Sequence, residues 1–521
     1  MTFPANDCPA NDTQAATNSS VEASTGRDQA SSLGAVRSAL LWLISFPAML
    51  GTILVGAVFY EARGFFVDPD VWWHIRVGQD ILRTHHWPTT DSFSFTAAST
   101  PWIAYEWLGD VIVGGTAKLA GNAGLAALLI AMAASVVLAL YCLGALRSRN
   151  SKASFIALLM ISLLTLLSFN LRPQMFGYLF LVILLIVLEW FRRGVSWPIW
   201  TLPCLFLLWV NVHGSFIVGI GVLTVYLCCG LWSFRMGDIQ GVVWSAKQRV
   251  QLELTLLLSL AVLALTPYGT QLAVYPFDMM FNQPLNVASI REWQPMPFNQ
   301  VFGKLFLGVI VLMVVLQMAY RFTWRLEELL LAVGGTIMAC VHARMLLLFV
   351  PFVAPIFATM LARWIPPYQR SKEQYLLNGA VMAGLIAVMV HYTPTRKALQ
   401  ERVDRDFPVG AVAYLDSHKA PGPMLNSYYF GGYLVGTGHK VFIDGRGDLY
   451  ERSGVLADFL TLTQLKRGAL RVLDRYQIQS CMLANDEPLV TVLSASPNWR
   501  RVYRDGTSVL LVRTSTAETA E

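Results

Sequence analysis

Charge is what this sequence has least of. Asp, Glu, Lys and Arg make up 14% of its 521 residues, against 55% for the hydrophobic types. Soluble globular chains carry roughly 25% charged and about 45–50% apolar residues. The shortfall excludes an ordinary soluble enzyme and a disordered protein, and points to a polytopic α-helical membrane protein. The long apolar runs also lack alternating polar residues, which excludes a membrane β-barrel. Cysteine is sparse: Cys8, Cys142, Cys204, Cys228, Cys229, Cys340 and Cys481 show no metal-ligand spacing, and most lie in apolar runs. They read as small core residues, not as a disulfide framework. A P-loop, a dinucleotide fingerprint, a metalloprotease motif and a serine nucleophile elbow are all missing. So is any internal repeat, which counts against inverted-repeat transporters.

What is present is organised by apolar runs. Residues 1–36 are rich in Ser, Thr, Ala, Asn and Asp and read as a disordered cytoplasmic tail. The run after it is too long for a signal-peptide core and reads as a first span. Candidate spans are 38–60, 122–146, 154–170, 174–191, 198–212, 215–233, 250–267, 303–320, 327–341, 345–363 and 375–392, about eleven within a membrane domain 37–399. The formal charge of +6 comes from 39 Lys and Arg against 33 Asp and Glu. With the N-terminus inside, the inner loops collect Arg147, Arg149 and Lys152; Arg192 and Arg193; Arg235, Lys247 and Arg249; Arg321 and Arg325; and Arg363, Arg370 and Lys372. That asymmetry follows the positive-inside rule and explains the basic balance without nucleic acid. From about residue 400 Gly, Pro and charge return. Segments 400–513 read as a small extracytoplasmic α/β domain, with strand-like pieces at 424–426, 440–443, 480–484 and 508–512, and 514–521 as a disordered tail.

The outer loop 61–121 carries two amphipathic stretches, 70–83 and 105–119, placed to lie at the membrane surface. It opens with Asp68-Pro69-Asp70-Val71-Trp72-Trp73-His74. A partly desolvated carboxylate there suits a general base, while a helix cap at Asp70 beside a solvated Asp68 is the structural alternative. Glu106, among aromatics, is either partnered or functional. His85, His86 and Asp91 read as loop residues. Polar groups also gather at span ends on the same face: Arg172, Asn211, His213, Arg291, Glu292, His342 and Arg344. Together they could grip a lipid-linked phosphate; singly, headgroup snorkelling explains each. In the C-terminal domain, Val441–Asp448 runs into a charged, glycine-rich turn, either a ligand position or a structural turn with an internal Asp–Arg pair.

Asp68-Pro69-Asp70, the stretches 70–83 and 105–119 and the outward C-terminal domain together resemble the GT-C class of integral-membrane glycosyltransferases. More closely, the segments Asp-Pro-Asp-Val-Trp-Trp-His, Tyr-Glu-Trp-Leu, Leu-Arg-Pro-Gln-Met-Phe, Asn-Val-His-Gly-Ser-Phe and Phe-Ile-Asp-Gly-Arg-Gly-Asp-Leu-Tyr look like a bacterial subgroup related to protein O-mannosyltransferases and lipid A aminoarabinose transferases. The resemblance covers about residues 38–513. It implies a polyprenyl-phosphate-linked sugar donor, an extracytoplasmic lipid, glycan or protein acceptor, and inverting transfer in an inner membrane. Asp68 or Asp70 would be the base, with Glu106 a second acid. His74, Arg172, His213, Arg291, Glu292 and Arg344 are candidate substrate contacts. The mannosyltransferases carry an adjacent Asp-Glu pair where this chain has Asp-Pro-Asp, so the base stays open between the two aspartates. No cofactor is implied, and nothing demands a divalent metal. A lipid or sugar transporter, and a non-catalytic envelope-assembly protein, are the competing readings.

Overall fold

The computed structural model describes residues 41–63, 68–166, 169–418 and 420–514. The expected tail 1–36, most of the expected tail 514–521, and Cys8 lie outside the described residues. In chain order, α1 (Phe46–Ala62), α2 (Val71–Thr84), α3 (Trp107–Ser148), α4 (Ser151–Leu166), α5 (Gln174–Arg192), α6 (Leu202–Val212) and α7 (Phe216–Cys229) build the first half.

Every expected apolar run contains a helix. Among the described residues, four helices are long and apolar enough to cross a membrane: Trp107–Ser148, Gln174–Arg192, Val301–Tyr320 and Ala343–Leu361. Tyr375–His391 with Arg396–Asp406, bent by 57°, makes a fifth if taken as one span. By that measure the expected count of about eleven is not reached, because several runs are cut short. The run at 198–212 is split into a 3-10 turn, Trp197–Thr201, and α6, with Pro203 at the junction. The run at 215–233 stops at Gly230.

Two helices show what decides burial. Leu346–Leu361 is apolar on all sides and is buried on nearly all of them, as a helix at the centre of a bundle must be. Val301–Tyr320 is as apolar yet leaves Val311, Val314, Val315 and Met318 exposed, a surface suited to lipid.

The expected amphipathic stretch at 105–119 and the expected span at 122–146 are the two helical arms of α3, which meet at a kink. Its only non-helical residue is Gly121, at φ 57° and ψ −148°. That region is open to glycine because it has no Cβ. The segment of α3 before Gly121 crosses α2 in direct backbone contact. A Cβ on Gly78 would lie 1.9 Å from the Asp110 carbonyl oxygen, and one on Gly114 would lie 2.9 Å from the Ile75 carbonyl oxygen. Small residues at a crossing let backbones approach this closely.

At the far ends of α3 and α5 the cations expected to mark an inner face are paired. Arg147 binds Glu328 (2.5 and 3.1 Å), Arg325 and Arg193 bind Glu189 (2.8 and 2.9 Å), and Arg192 binds the fully buried Glu327 (2.5 Å). Arg192 also stacks on Trp244, 3.5 Å from the ring centroid. A three-stranded sheet near this end, β1 (Phe234–Met236), β2 (Ile239–Gly241) and β3 (Trp324–Arg325), was not expected.

The C-terminal region contains a four-stranded sheet of β4 (Met424–Asn426), β5 (Ser480–Ala484), β6 (Trp499–Arg504) and β7 (Ser508–Arg513), in the order β4-β5-β7-β6. β4 pairs parallel with β5, and the other pairs are antiparallel. The expected strand at 440–443 is instead a single bridge, Val441 to Ser94, because the segment leaves the domain to pair with the first loop. Beside that bridge lies a fully buried ionic knot. Arg446 binds Asp444 (2.9, 3.2 and 2.7 Å) and reaches across to Asp91 (2.7 Å), and the Tyr450 hydroxyl donates to Asp444 (2.9 Å). The guanidinium lies 4.8 Å from the Trp102 ring centroid. The internal Asp–Arg pair of the structural reading is thus present, and Asp91, expected as a loop residue, is its third member. Removing one partner of such a pair costs about 3–5 kcal/mol, since the remaining charges stay buried. We therefore expect Arg446→Met to lower the unfolding temperature of the purified protein sharply, and a melting curve like that of the wild type would contradict the knot.

Candidate active site

Pro69 turns the chain between two aspartates and α2 begins directly after it. Asp70 holds the N-cap position of α2, but its side chain makes no capping bond. Asp68 is the one bonded locally, its Oδ1 accepting from the Asp70 amide (2.9 Å). Both carboxylates turn to Arg172, in the link between α4 and α5. Arg172 Nε donates to Asp68 Oδ1 and Oδ2 (3.0 and 2.9 Å), and an Nη2 lies 3.0 Å from Asp70 Oδ2. Asn170 adds a bond to Asp68 Oδ2 (3.3 Å). Asp68 is therefore held on both oxygens, whereas Asp70 is held by Arg172 through Oδ2. Burial, the largest influence, leaves the Asp70 carboxyl above the ordinary aspartate range despite the attraction of Arg172.

Glu106 precedes α3 and lies between two imidazoles. His213 accepts the Ser215 amide on Nδ1 (3.0 Å), so in the neutral ring the proton is on Nε2, which faces Glu106 Oε1 at 3.3 Å. His74 places Nδ1 2.5 Å from Asp110 Oδ1, with Nε2 3.8 Å from Glu106 Oε2. The α2–α3 backbone crossing sets this His74–Asp110 contact. Burial pulls His213 down to about 3 and His74 below its usual range, so both rings are neutral near pH 7. Burial also raises Glu106 to about 7, with His74 acting in the opposite direction and Asp110 adding to the rise.

Arg344 continues the cluster from the start of the central helix. It donates to Gln174 Oε1 (2.7 Å), lies 3.9 Å from Glu292 and 5.4 Å from the Trp293 ring centroid, and Gln174 in turn donates to Asn170 (3.0 Å). Asp68, Asp70, Arg172, Glu292 and Arg344 thus form one chain of contacts, and the group of His74, Glu106 and His213 lies within electrostatic reach of Arg172 and Arg344. His342 is turned away onto the Trp293 carbonyl (2.6 Å). The Arg291 side chain lies outside the described residues. His85 and His86 are exposed at the far end of α2.

The C-terminal turn closes over this cluster. A Cβ on Gly445 would stand 1.7 Å from Asp70 Oδ1, and one on Gly432 would stand 2.1 Å from the Pro69 carbonyl oxygen. Asp448, three residues on, is buried, and burial raises it to about 6. Asp110, Asn170 and Ser215 are site-forming residues that the sequence reading did not single out, whereas Gly445 and Asp448 belong to the turn Val441–Asp448 that it offered as a ligand position. For Asp110 a signal existed, since it lies one helical turn after Glu106 and so shares its face. Among the described residues, no group of three or more His, Cys, Asp or Glu is arranged to hold a metal ion.

No family model matches this chain, and neither does any curated protein sequence. Among solved structures, it is similar to ArnT from Cupriavidus metallidurans bound to undecaprenyl phosphate, at 14% identity and TM-score 0.50, over 90% of this chain and 98% of that one. It is also similar to the Archaeoglobus fulgidus oligosaccharyltransferase tethered to an acceptor peptide, at 13% identity and TM-score 0.48, over 89% of this chain and 74% of that one. The chain therefore shares the fold of ArnT along nearly its whole length.

The seating of Gly445 gives a direct test. Adding a methyl group in so tight a contact costs about 1–3 kcal/mol, or displaces one side. Gly445→Ala is expected to lower the melting temperature of the protein in detergent; unchanged melting would show that the turn does not rest on Asp70.

Proposed function

We propose that this chain is an integral-membrane glycosyltransferase. It moves a sugar from a polyprenyl-phosphate-linked donor to an acceptor on the side of the membrane that carries the first loop, which we place outside the cytoplasm. The observation that carries this reading is the convergence of three differently held carboxylates with one arginine, Arg344, at one end of an apolar bundle. A carboxylate suits deprotonation of an acceptor and a fixed cation suits a departing phosphate. The shared fold with a protein solved with undecaprenyl phosphate supports the donor class. An isoprenoid tail needs the bilayer while its phosphosugar needs a polar site, and a cluster at the ends of apolar helices meets both needs.

In this mechanism Asp70 is the general base. Asp68 is committed to Arg172 and Asn170 through both oxygens, which fixes geometry and lowers basicity. Asp70 keeps Oδ1 toward the turn that roofs the site. Arg172, expected as a phosphate contact, spends Nε and one Nη2 on the aspartates, and His213 is uncharged near pH 7. The phosphate contact therefore falls chiefly to Arg344, backed by Gln174. The acceptor oxygen attacks the anomeric carbon from the face opposite the phosphate, its proton passes to Asp70, and the C1–O bond to phosphate breaks with inversion.

The test is transfer by the full-length protein in nanodiscs, offered a panel of polyprenyl-phosphate sugars with host membranes as the source of acceptor and followed by mass spectrometry of the lipid. General-base loss typically costs about 10²–10⁴-fold. Asp70→Asn is expected to lose that much turnover while the folded protein still binds the donor, with a lower melting temperature because Arg172 loses one of its two carboxylates, and Asp68→Asn should lose turnover and melting temperature together. Wild-type turnover in Asp70→Asn would remove the assigned base, and failure of every polyprenyl phosphate to shift the melting temperature would remove the function.

A further inference from the structure

The site holds a surplus of negative groups for an enzyme whose donor is an anion. Asp68, Asp70, Glu106, Asp110 and Glu292 surround two arginines, and Arg172 is already shared by two aspartates. Glu106 and Asp110 differ from the other three: among the described residues neither has an arginine within ion-pair distance, and the two oxygens of Glu106 face two imidazoles instead. Oε1 lies 3.3 Å from His213 Nε2 and Oε2 lies 3.8 Å from His74 Nε2, the latter beyond hydrogen-bond length, which leaves Oε2 room for a proton of its own.

We infer that Glu106 works in its protonated form, as the acid that gives a proton to the leaving phosphate, with His74 and Asp110 as the positioning residues behind it. The inference rests on the glycosyltransferase reading above. As the C1–O bond breaks, the phosphate passes from a singly charged diester to a monoester whose second ionisation lies near about 6. The bonding electrons stay on the phosphate oxygen, and that oxygen takes the Glu106 Oε2 proton. The acceptor proton goes to Asp70, and exchange with water after product release resets both carboxyls. A neutral Glu106 also removes one repulsive charge while the donor binds. Asp110 holds the His74 ring in place, and Ser215 keeps His213 in its Nε2-protonated tautomer while accepting from Trp209 (2.9 Å). The other charged or titratable groups that influence Glu106 are Arg344 and Arg172, which favour ionisation, and the neighbouring Tyr105.

The experiment measures binding of the methyl ester of undecaprenyl phosphate, whose charge does not change between pH 6 and pH 8, to the full chain in nanodiscs. If only the protonated Glu106 accepts the anion, linkage gives about a tenfold loss of affinity over that range. Glu106→Gln, a neutral isostere, should bind equally at both ends, and Asp110→Asn should move the midpoint to lower pH. A flat wild-type curve overturns the inference without any variant. A pH dependence that persists in Glu106→Gln overturns it as well. If the ester does not bind at any pH, the glycosyltransferase reading itself falls, and this inference with it.

Discussion

Arg172 holds the site together. It sits in a short link between two helices and ties both aspartates of the first loop to the start of α5. A guanidinium can do this because it is planar, always charged and able to donate in several directions at once. Burying it is costly unless each direction is met, and here two carboxylates meet it. The rest of the cluster follows from that anchor. Asn170 and Gln174, flanking Arg172, carry the connection on to Arg344, and α2, launched from Asp70, carries His74 to Asp110 and Glu106.

The same solution recurs at a distance. Arg446 is shared by Asp444 and Asp91, and at the other end of the bundle Arg147, Arg192, Arg193 and Arg325 are matched by Glu189, Glu327 and Glu328. Charge is scarce in this chain, and much of it is spent inside, in pairs. Cations that sequence patterning assigns to topology therefore also fasten helix ends. Glu106 lies beside imidazoles with no guanidinium at ion-pair distance among the described residues, and burial raises its pKa to about 7.

How far the sequence could be read depended on the range of the interaction. Apolar runs are local, so each one located a helix. Asp68, Asp70 and Glu106 could be singled out because a carboxylate beside aromatics and a membrane helix is conspicuous in one dimension. The division between 105–119 and 122–146 was legible, since Gly121, whose backbone leaves the helical region, marks the kink between them. Asp91 looked like loop because its partner, Arg446, lies 355 residues away. The strand expected at 440–443 failed for the same reason, as its pairing partner is the first loop and not its own sheet. Whether Arg172 was free or spent could not be read either, because pairing is a property of three dimensions.

The contact between Gly445 and Asp70 has a consequence in time. Chains are made from the N-terminus, and domains tend to fold in that order. The aspartates and the membrane helices therefore exist well before the turn that covers them has been synthesised. Until the last part of the chain emerges and Arg446 finds Asp91, the carboxylate cluster lies open to water, where buried-group chemistry is lost. A copy cut short before residues 444–448 would therefore carry Asp68 and Asp70 without the turn that covers them.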